Sequence, residues 1–329
     1  MKISVCITVL NEEGSVGELL DSLLAQTTKP DEIVIVDGGS TDKTVEIIRH
    51  FQKKDNRVKL LVEKGSTANG RNMATELAKY PIIASTDAGC VAKRDWLEKL
   101  TEPFKFENVG LVAGFYEMQA KNHMQEAMNV FHGITPQMYD PTTFLPSARS
   151  VAFRKSVWER VGGYSEKFEK AGEDTDFFYK IVKQGVKIVR VKEARVVWSE
   201  SGTFTLSDSM KKFYQYAKGD AKSGIWWHPA KQLASHNIKI SLIFLRYAFG
   251  LILILLSITN PLILLVLLVL LILYIFWSFR KVYLQTNNLK VGAWGIAIQF
   301  MSDFAVMSGF LSGLIRKKLT VEEKNSLCE

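Results

Sequence analysis

The charge-free run between residues 247 and 279 is the feature that most constrains this chain. It contains no Asp, Glu, Lys or Arg, and a helix needs only about 20 apolar residues to cross a bilayer. Such a run is too long for a buried core helix, so the sequence predicts a soluble part followed by a membrane part. We place the soluble domain at residues 1–235, the membrane region at 236–318 and a polar tail at 319–329.

Within the membrane region, Asn260-Pro261 interrupts the run, and proline suits the first turn of a new helix. This pattern predicts two spans in a tight hairpin, at 238–259 and 261–279. A third segment, 291–315, is less apolar, and the basic residues Arg316–Lys318 that follow it disfavour a crossing. Two placements stay open for this segment, across the membrane or in its interface.

Charge and cysteine content restrict the location and the partners. The net charge is +8, and basic residues flank the apolar segments at 211, 212, 218, 222, 231, 239, 280, 281 and 316–318. Such flanks favour the cytoplasmic side and membrane lipids, and no interleaving of aromatic and basic residues indicates nucleic acid. Cys6, Cys90 and Cys328 form neither a metal-binding spacing nor an even disulfide framework. No signal peptide is recognisable, so we expect a multi-pass membrane protein with a cytoplasmic catalytic domain.

Short apolar strands alternate with helices in the soluble part. The first strands are predicted at 3–10, 32–36, 58–62 and 82–85, and the first helices at 15–26, from Ser40 or Thr41 to 51, and at 71–79. Further strands are predicted at 109–116, 150–153, 186–191 and 196–198, and further helices at 172–183 and 209–222. Ser15 and Glu18 suggest a capping box, and 65–70 a loop. The alternation predicts an α/β fold with a mostly parallel sheet flanked by helices. Ligands bind beyond the carboxyl ends of such strands, where Asn11, Asp37 and Asp87 lie.

Three polar residues, Asp37, Asp87 and Arg71, have both a chemical and a structural interpretation. Asp37 could accept hydrogen bonds from a base or ribose, or simply stabilise a turn. Asp87 could hold Mg²⁺ or Mn²⁺ on a diphosphate leaving group, or be a turn residue. Arg71 could clamp a phosphate, or be a solvated helix start.

Glu173 and Asp174 stand together in Gly172-Glu-Asp-Thr-Asp176. A helix start favours acidic residues through its dipole alone. The functional alternative is a general base that takes the proton of an attacking sugar hydroxyl.

The order of six short motifs resembles the family 2 glycosyltransferases, which have the GT-A nucleotide-diphospho-sugar transferase fold. The resemblance covers residues 1–220, and its motifs are 9–13, 36–42, 70–74, 86–90, 161–164 and 172–176. It implies that Asp87 binds the metal and that Asp174, beside Glu173, is the base of an inverting transfer. It further implies a nucleotide and donor site at Thr8, Leu10, Glu12, Asp37, Arg71, Asp87 and Ala88. Lys218 would neutralise the diphosphate, or else serve as a basic anchor residue.

Two departures from the family pattern narrow the prediction. Gly89 and Cys90 stand where a second acid is usual, which leaves Asp87 as the single protein carboxylate for Mg²⁺ or Mn²⁺. The Gln-x-x-Arg-Trp signature of processive synthases is absent after residue 200, so one transfer per cycle is expected.

The predicted function is therefore an inverting transfer from a nucleotide-diphosphate sugar to a lipid-linked acceptor at the cytoplasmic membrane face. Two alternatives stay open. One is a polyprenyl-phosphate sugar synthase of the same fold, and the other is a non-catalytic membrane scaffold. The nucleotide base, the sugar and the oligomeric state are not predicted.

Overall fold

A computed structural model describes residues 1–168, 171–198, 205–228, 233–234 and 236–326. The chain divides into two compact units, each described by itself below. The first comprises Met1–Gln119 and Tyr139–Thr203 with residues 229–231, and the second comprises Ala120–Met138, Phe204–His228 and residues 232–329. The predicted boundary at 235 and the residues 327–329 of the predicted tail, with Cys328, lie outside the described residues. The predicted domain limits stay a prediction.

The first unit is an eight-stranded sheet with helices. Its strands are β1 (Ile3–Val9), β2 (Glu32–Asp37), β3 (Val58–Val62), β4 (Ile82–Ser85), β5 (Cys90–Ala92), β6 (Val109–Met118), β7 (Val151–Arg154) and β8 (Lys187–Trp198). Its helices are α1 (Val16–Leu24), α2 (Thr44–Lys54), α3 (Thr67–Leu77), α4 (Trp96–Thr101), α6 (Lys155–Val161) and α7 (Glu173–Lys183). Helix α5, between α4 and α6 in the sequence, belongs to the second unit.

The strand order β3-β2-β1-β4-β7-β6-β8-β5 combines a parallel half with a mixed half. The first four predicted strands, β1 to β4, pair in parallel, whereas β7 is antiparallel to both β4 and β6. Strands β1, β2 and β4 are apolar and almost fully buried because helices cover the sheet, whereas the edge strand β3 is half-buried. Their carboxyl ends meet at one edge, as predicted.

Three local predictions were wrong. The Ser15 hydroxyl donates to the Glu12 carboxylate at 2.5 Å, so Ser15 forms no capping box with Glu18. Helix α2 begins at Thr44, because the residues after Asp37 form a hydrogen-bonded loop. Helix α3 begins at Thr67 with Ser66 as its cap, which places Gly70 inside the helix and not in a loop.

The second unit contains the apolar helices. It comprises α5 (His123–His132), α8 (Leu206–Ser223), β9 (Trp227–His228), β10 (Leu233–Ala234), α9 (His236–Ser257), α10 (Pro261–Thr286) and α11 (Leu289–Ser326). Three described helices, His236–Ser257, Pro261–Thr286 and Leu289–Ile315, are long and apolar enough to cross a membrane. Its core includes Met128 of α5, Phe213 of α8, Val282 of α10 and Ile298 of α11.

Candidate functional site

Two loops at the carboxyl ends of β1 and β2 are joined by hydrogen bonds. The Asn11 N–H donates to Ser40 Oγ at 2.8 Å, and the Thr41 N–H donates to Asn11 Oδ1 at 2.9 Å. Asp37 is fully buried, and its carboxylate accepts from Gly39 N, Ser40 N and Ser40 Oγ at 2.6–2.9 Å. Asp37 therefore orders its own loop, and this geometry fits its turn-stabilising interpretation.

The other predicted nucleotide residues of β1 lie at the same edge. Thr8 is half-buried, and its methyl group would lie 2.9 Å from a Cβ added at Gly70, so only glycine fits there. Leu10 is 54% exposed, and its side chain is open to a ligand. The Glu12 N–H donates to Thr44 Oγ1 at 2.7 Å, which connects the β1 loop to the start of α2.

Arg71 joins the two acidic groups predicted to carry the chemistry. From the second turn of α3, Nη2 donates to Asp87 Oδ1 at 2.8 Å and Nη1 donates to Glu173 Oε1 at 2.5 Å. Burial alone would lower the pKa of Arg71, but Asp87 and Glu173 raise it, so the guanidinium stays charged. The sequence alternative of a solvated helix start does not hold, because Arg71 is only 8% exposed.

Glu173 and Asp174 occupy the first turn of α7, but in different surroundings. Glu173 is buried, and burial raises its pKa, an effect that Arg71 opposes and Asp174 reinforces. Asp174 is half-buried, and its Oδ1 accepts from the Thr175 N–H at 2.8 Å. Asp174 is thus the more accessible carboxylate for an acceptor, whereas Glu173 is held by Arg71.

Asp87 has one carboxylate oxygen that could bind a divalent cation. Its Oδ1 accepts from Arg71, and among the described residues Oδ2 receives no hydrogen bond, while the side chain is 26% exposed. Arg71, Asp87, Glu173 and Asp174 together carry two net negative charges when all are ionised, which a divalent ion would balance. Among the described residues, no group of three or more acidic, His or Cys side chains is arranged to hold a metal ion, so phosphate oxygens and water would complete the shell. Ala88 is half-buried directly beside Asp87.

Two supporting residues were missed by the sequence reasoning. Asn72 accepts from Tyr164 N at 2.8 Å and donates to Tyr164 O at 2.9 Å, which fixes the Gly-Gly-Tyr turn. The Tyr164 ring stacks on Phe177 of α7, with centroids 4.0 Å apart. Asn72 lies in the motif 70–74 and Tyr164 in the motif 161–164. The joint presence of these two motifs was the available signal for the Asn72–Tyr164 hydrogen bonds.

Arg149 is a third residue that the sequence reasoning missed. Antiparallel pairing places Val151 opposite Ser85, so Arg149 lies at the edge where β4 leads into Asp87. Its guanidinium carbon lies 4.1 Å from the Trp198 ring centroid and 4.9 Å from that of Tyr116. Its position just before a buried strand was the available signal.

Lys218 is not part of the first unit. It belongs to α8 in the second unit, where its backbone carbonyl lies 2.6 Å from a Cβ added at Gly313. Its predicted role at the diphosphate stays a prediction. Cys6 and Cys90 are buried free thiols, and burial raises the pKa of Cys90 to about 12.

Comparison with known families identifies the fold. The model described as Glycosyl transferase family group 2 matches residues 89–279, more than half of the chain, and that of Glycosyl transferase family 2 matches residues 4–162. The chain belongs to glycosyltransferase family 2. This family 2 chain is 34% identical over 116 residues to the glycosyltransferase GlyG of Streptococcus pneumoniae, covering 35% of the chain and 38% of GlyG. It is 30% identical over 157 residues to the glycosyltransferase AglE of Haloferax volcanii, and the match covers 46% of this chain and 48% of AglE. It thus spans less than two thirds of the length of these curated relatives.

Solved structures confirm the GT-A fold. The mannosyltransferase PcManGT of Pyrobaculum calidifontis, in complex with GDP-Man and Mn²⁺, aligns with a TM-score of 0.58 at 19% identity, over 95% of this chain and 87% of its own. TarS of S. aureus in complex with UDP aligns with a TM-score of 0.50 at 20% identity, over 68% of this chain and 65% of the TarS chain. At these identities the likeness concerns the fold alone.

Proposed function

We propose that this family 2 chain transfers a sugar, with inversion, from a nucleotide-diphosphate sugar to a hydroxyl of a lipid-linked acceptor at the cytoplasmic membrane face. The observation that carries the proposal is the Arg71 bridge between Asp87 and Glu173. It brings the candidate metal carboxylate close to the helix turn that bears the candidate base. The apolar helices of the second unit support a membrane-borne acceptor.

The chemistry assigns a separate role to each acidic residue. Asp174 accepts the proton of the acceptor hydroxyl as that oxygen attacks the anomeric carbon. The bond from that carbon to the diphosphate oxygen breaks, and the nucleoside diphosphate leaves with the bonding electron pair. Asp87 would hold Mg²⁺ or Mn²⁺, which supplies positive charge for the leaving diphosphate. Arg71 and Glu173 keep Asp87 and the start of α7 in place.

Calorimetry with UDP, GDP and dTDP, each with and without Mn²⁺, tests the donor half of the proposal on the full chain. We expect one of these nucleotides to bind in the presence of Mn²⁺. Its affinity should fall at least tenfold when Mn²⁺ is left out, and also in the Asp87→Asn variant. Asp174→Asn should keep this binding while transfer falls by about 10²–10⁴-fold, the usual contribution of a general base.

Three outcomes would contradict parts of this proposal. If no nucleotide binds under any condition, the chain is a scaffold. If Asp174→Asn turns over at the wild-type rate with a lipid-linked sugar, the base assignment is wrong. If lipid phosphate is the only acceptor, the chain is a polyprenyl-phosphate sugar synthase, because an anionic acceptor needs no base.

A further inference from the structure

The α9–α10 hairpin is buried only at its base. The two helices are joined by residues 258–260, and the Arg246 guanidinium lies 4.3 Å from the Tyr274 ring centroid across the pair. Their buried residues are Asn237 and Ile240 on α9, and Ser278 and Val282 on α10. Between 248 and 273 no residue is buried, and apart from Ser257, Thr259 and Asn260 at the turn this tip is apolar. Only hydrocarbon suits such a surface, so the tip is the part that inserts into the bilayer.

Helix α11 crosses the base of this hairpin. Its contacts extend from Gly292, packed on Phe279, to Phe310, packed on Phe244. This is a length of about 27 Å at 1.5 Å per residue. The contacts on α9 and α10 fall within 240–247 and 274–282, each only about 12 Å long by the same rise. The contacting part of α11 is thus more than twice as long as the stretch that it contacts on either α9 or α10. We infer that α11 lies transverse to the hairpin.

Helix α8 lies along α11 and carries charge. A Cβ at Gly309 would lie 2.1 Å from Tyr214 O, and one at Gly313 would lie 2.6 Å from Lys218 O. Because both contacts advance by four residues, α8 and α11 run side by side in the same direction. Helix α8 bears lysines at 211, 212, 218 and 222, and the Lys211 side chain is 70% exposed. If α11 crossed the bilayer, α8 would enter with it, at about 2.5–3.5 kcal/mol per lysine at the centre.

The outward face of α11 is an apolar stripe. Between 293 and 315, exposed residues recur every three or four positions, at Ala293 and Trp294, Ala297, Met301, Phe304, Ser308, Leu311, and Leu314 and Ile315. Gln299, Ser302 and Asp303 are buried on the other side. The Phe304 ring lies 5.4 Å from that of Tyr247, so the stripe continues onto α9. An apolar face backed by a lysine-rich layer matches the boundary between headgroups and acyl chains.

We propose that α11 is a membrane-surface helix and not a third span. The hairpin crosses the bilayer twice, while α11 and α8 lie in the plane of the membrane, on the side of the turn at Asn287 and Asn288. The ion pair between Arg246 and the buried Asp303 then lies at the membrane boundary and not at the bilayer centre. This inference is independent of the proposed catalytic activity.

Cysteine labelling in sealed vesicles of known orientation tests the topology. Cys6 and Cys90 are buried, so the native Cys328 reports the far end of α11 to a membrane-impermeant maleimide. In a Cys328→Ser background, Asn288→Cys reports its near end and Thr259→Cys the hairpin tip. We expect Asn288→Cys and Cys328 to react from one side and Thr259→Cys from the other. Lys211→Cys on α8 is the matched control and should react with the Asn288→Cys side.

Reaction of Asn288→Cys and Cys328 from opposite sides would overturn the proposal, because α11 would then cross. Reaction of all three reporters from one side would overturn the two-span hairpin. Depth measurements with spin labels at Ala297, Phe304 and Leu311 decide the matter if a reporter fails to react. A surface helix gives similar depths at all three, whereas a span separates the outer two by about 21 Å.

Discussion

At the residue scale, Arg71 is the centre of the candidate site. A planar guanidinium reaches two carboxylates at once, which a lysine ammonium on a flexible stem does less well. The Arg71 guanidinium and the Glu173 carboxylate are both buried, so each needs an opposite charge beside it. An ion pair in such a place adds little net stability, but removal of one partner leaves an uncompensated charge.

We predict that Arg71→Met lowers the free energy of unfolding by about 3 kcal/mol or more, and weakens Mn²⁺-nucleotide binding at least tenfold. The reason is that Asp87 and Glu173 would repel each other and leave their positions. Thermal unfolding and calorimetry measure the two effects. Arg57→Met is the matched control, because Arg57 pairs with Asp55 near the surface, and this variant should bind nucleotide like the wild type. Wild-type binding by Arg71→Met would refute the positioning role.

At the element scale, the sequence predicted most strands of both halves of the sheet, but it did not predict how the strands of the mixed half pair. Strands β1 to β4 are short apolar runs between clear turn residues, so their pattern is local. The start of α3 was misplaced because Gly70 looked like a loop residue, whereas its role is close contact with Thr8. The predicted strands 186–191 and 196–198 form one strand, β8, whose irregular register with β6 depends on distant residues. The same limit applies to the Arg71 bridge, since Asp87 and Glu173 are far apart in the sequence.

Glu32 shows how one side chain joins several elements, and it yields a stability prediction. From the start of β2, its buried carboxylate accepts from Ser4 Oγ and from Lys79 N, both at 2.6 Å, and pairs with Lys59 of β3. We predict that Glu32→Gln lowers the free energy of unfolding by about 1–3 kcal/mol at pH 7, the range for hydrogen bonds to charged groups.

The effect of Glu32→Gln should also depend on pH. Burial alone would raise the pKa of Glu32, but Lys59, Ser4 and Lys79 outweigh it and hold the pKa below its usual range. A depressed folded-state pKa stabilises the protein above the unfolded value of about 4.3, and this contribution disappears as the pH falls through the folded pKa. The difference from the wild type should thus be full at neutral pH and shrink below about pH 4. A difference that is constant with pH would contradict the ionic role.

At the scale of the whole molecule, the sequence located the apolar region but not its internal organisation. Hydropathy located both arms of the hairpin, because it depends on composition alone. It did not indicate that α5 and α8, which are much less apolar than the membrane helices, share a core with α10 and α11. Nor did it pair Arg246 with Asp303, 57 positions later.

The polar cluster around Asp303 should hold the second unit together. Asp303 is 1% exposed, and its carboxylate accepts from Arg246 Nη2 at 2.6 Å, Tyr247 Oη at 3.0 Å, Tyr274 Oη at 2.5 Å and Gln299 Nε2 at 3.0 Å. Because these donors come from α9, α10 and α11, one carboxylate joins all three helices. Asp303→Leu leaves its buried and half-buried donors without their acceptor, so we expect a loss of about 1–3 kcal/mol in unfolding free energy.

A double-mutant cycle separates the charge effect of the Arg246–Asp303 pair from lost packing. Arg246→Leu combined with Asp303→Leu should be more stable than Asp303→Leu alone, with a coupling of at least about 1 kcal/mol. Equilibrium unfolding of the full chain in detergent measures all four corners of the cycle. Lys211→Leu, which removes an exposed charge, is the control and should change stability by no more than about 0.5 kcal/mol. Additive losses in the double variant would mean that Arg246 and Asp303 act independently, and that the shared carboxylate does not organise the three helices.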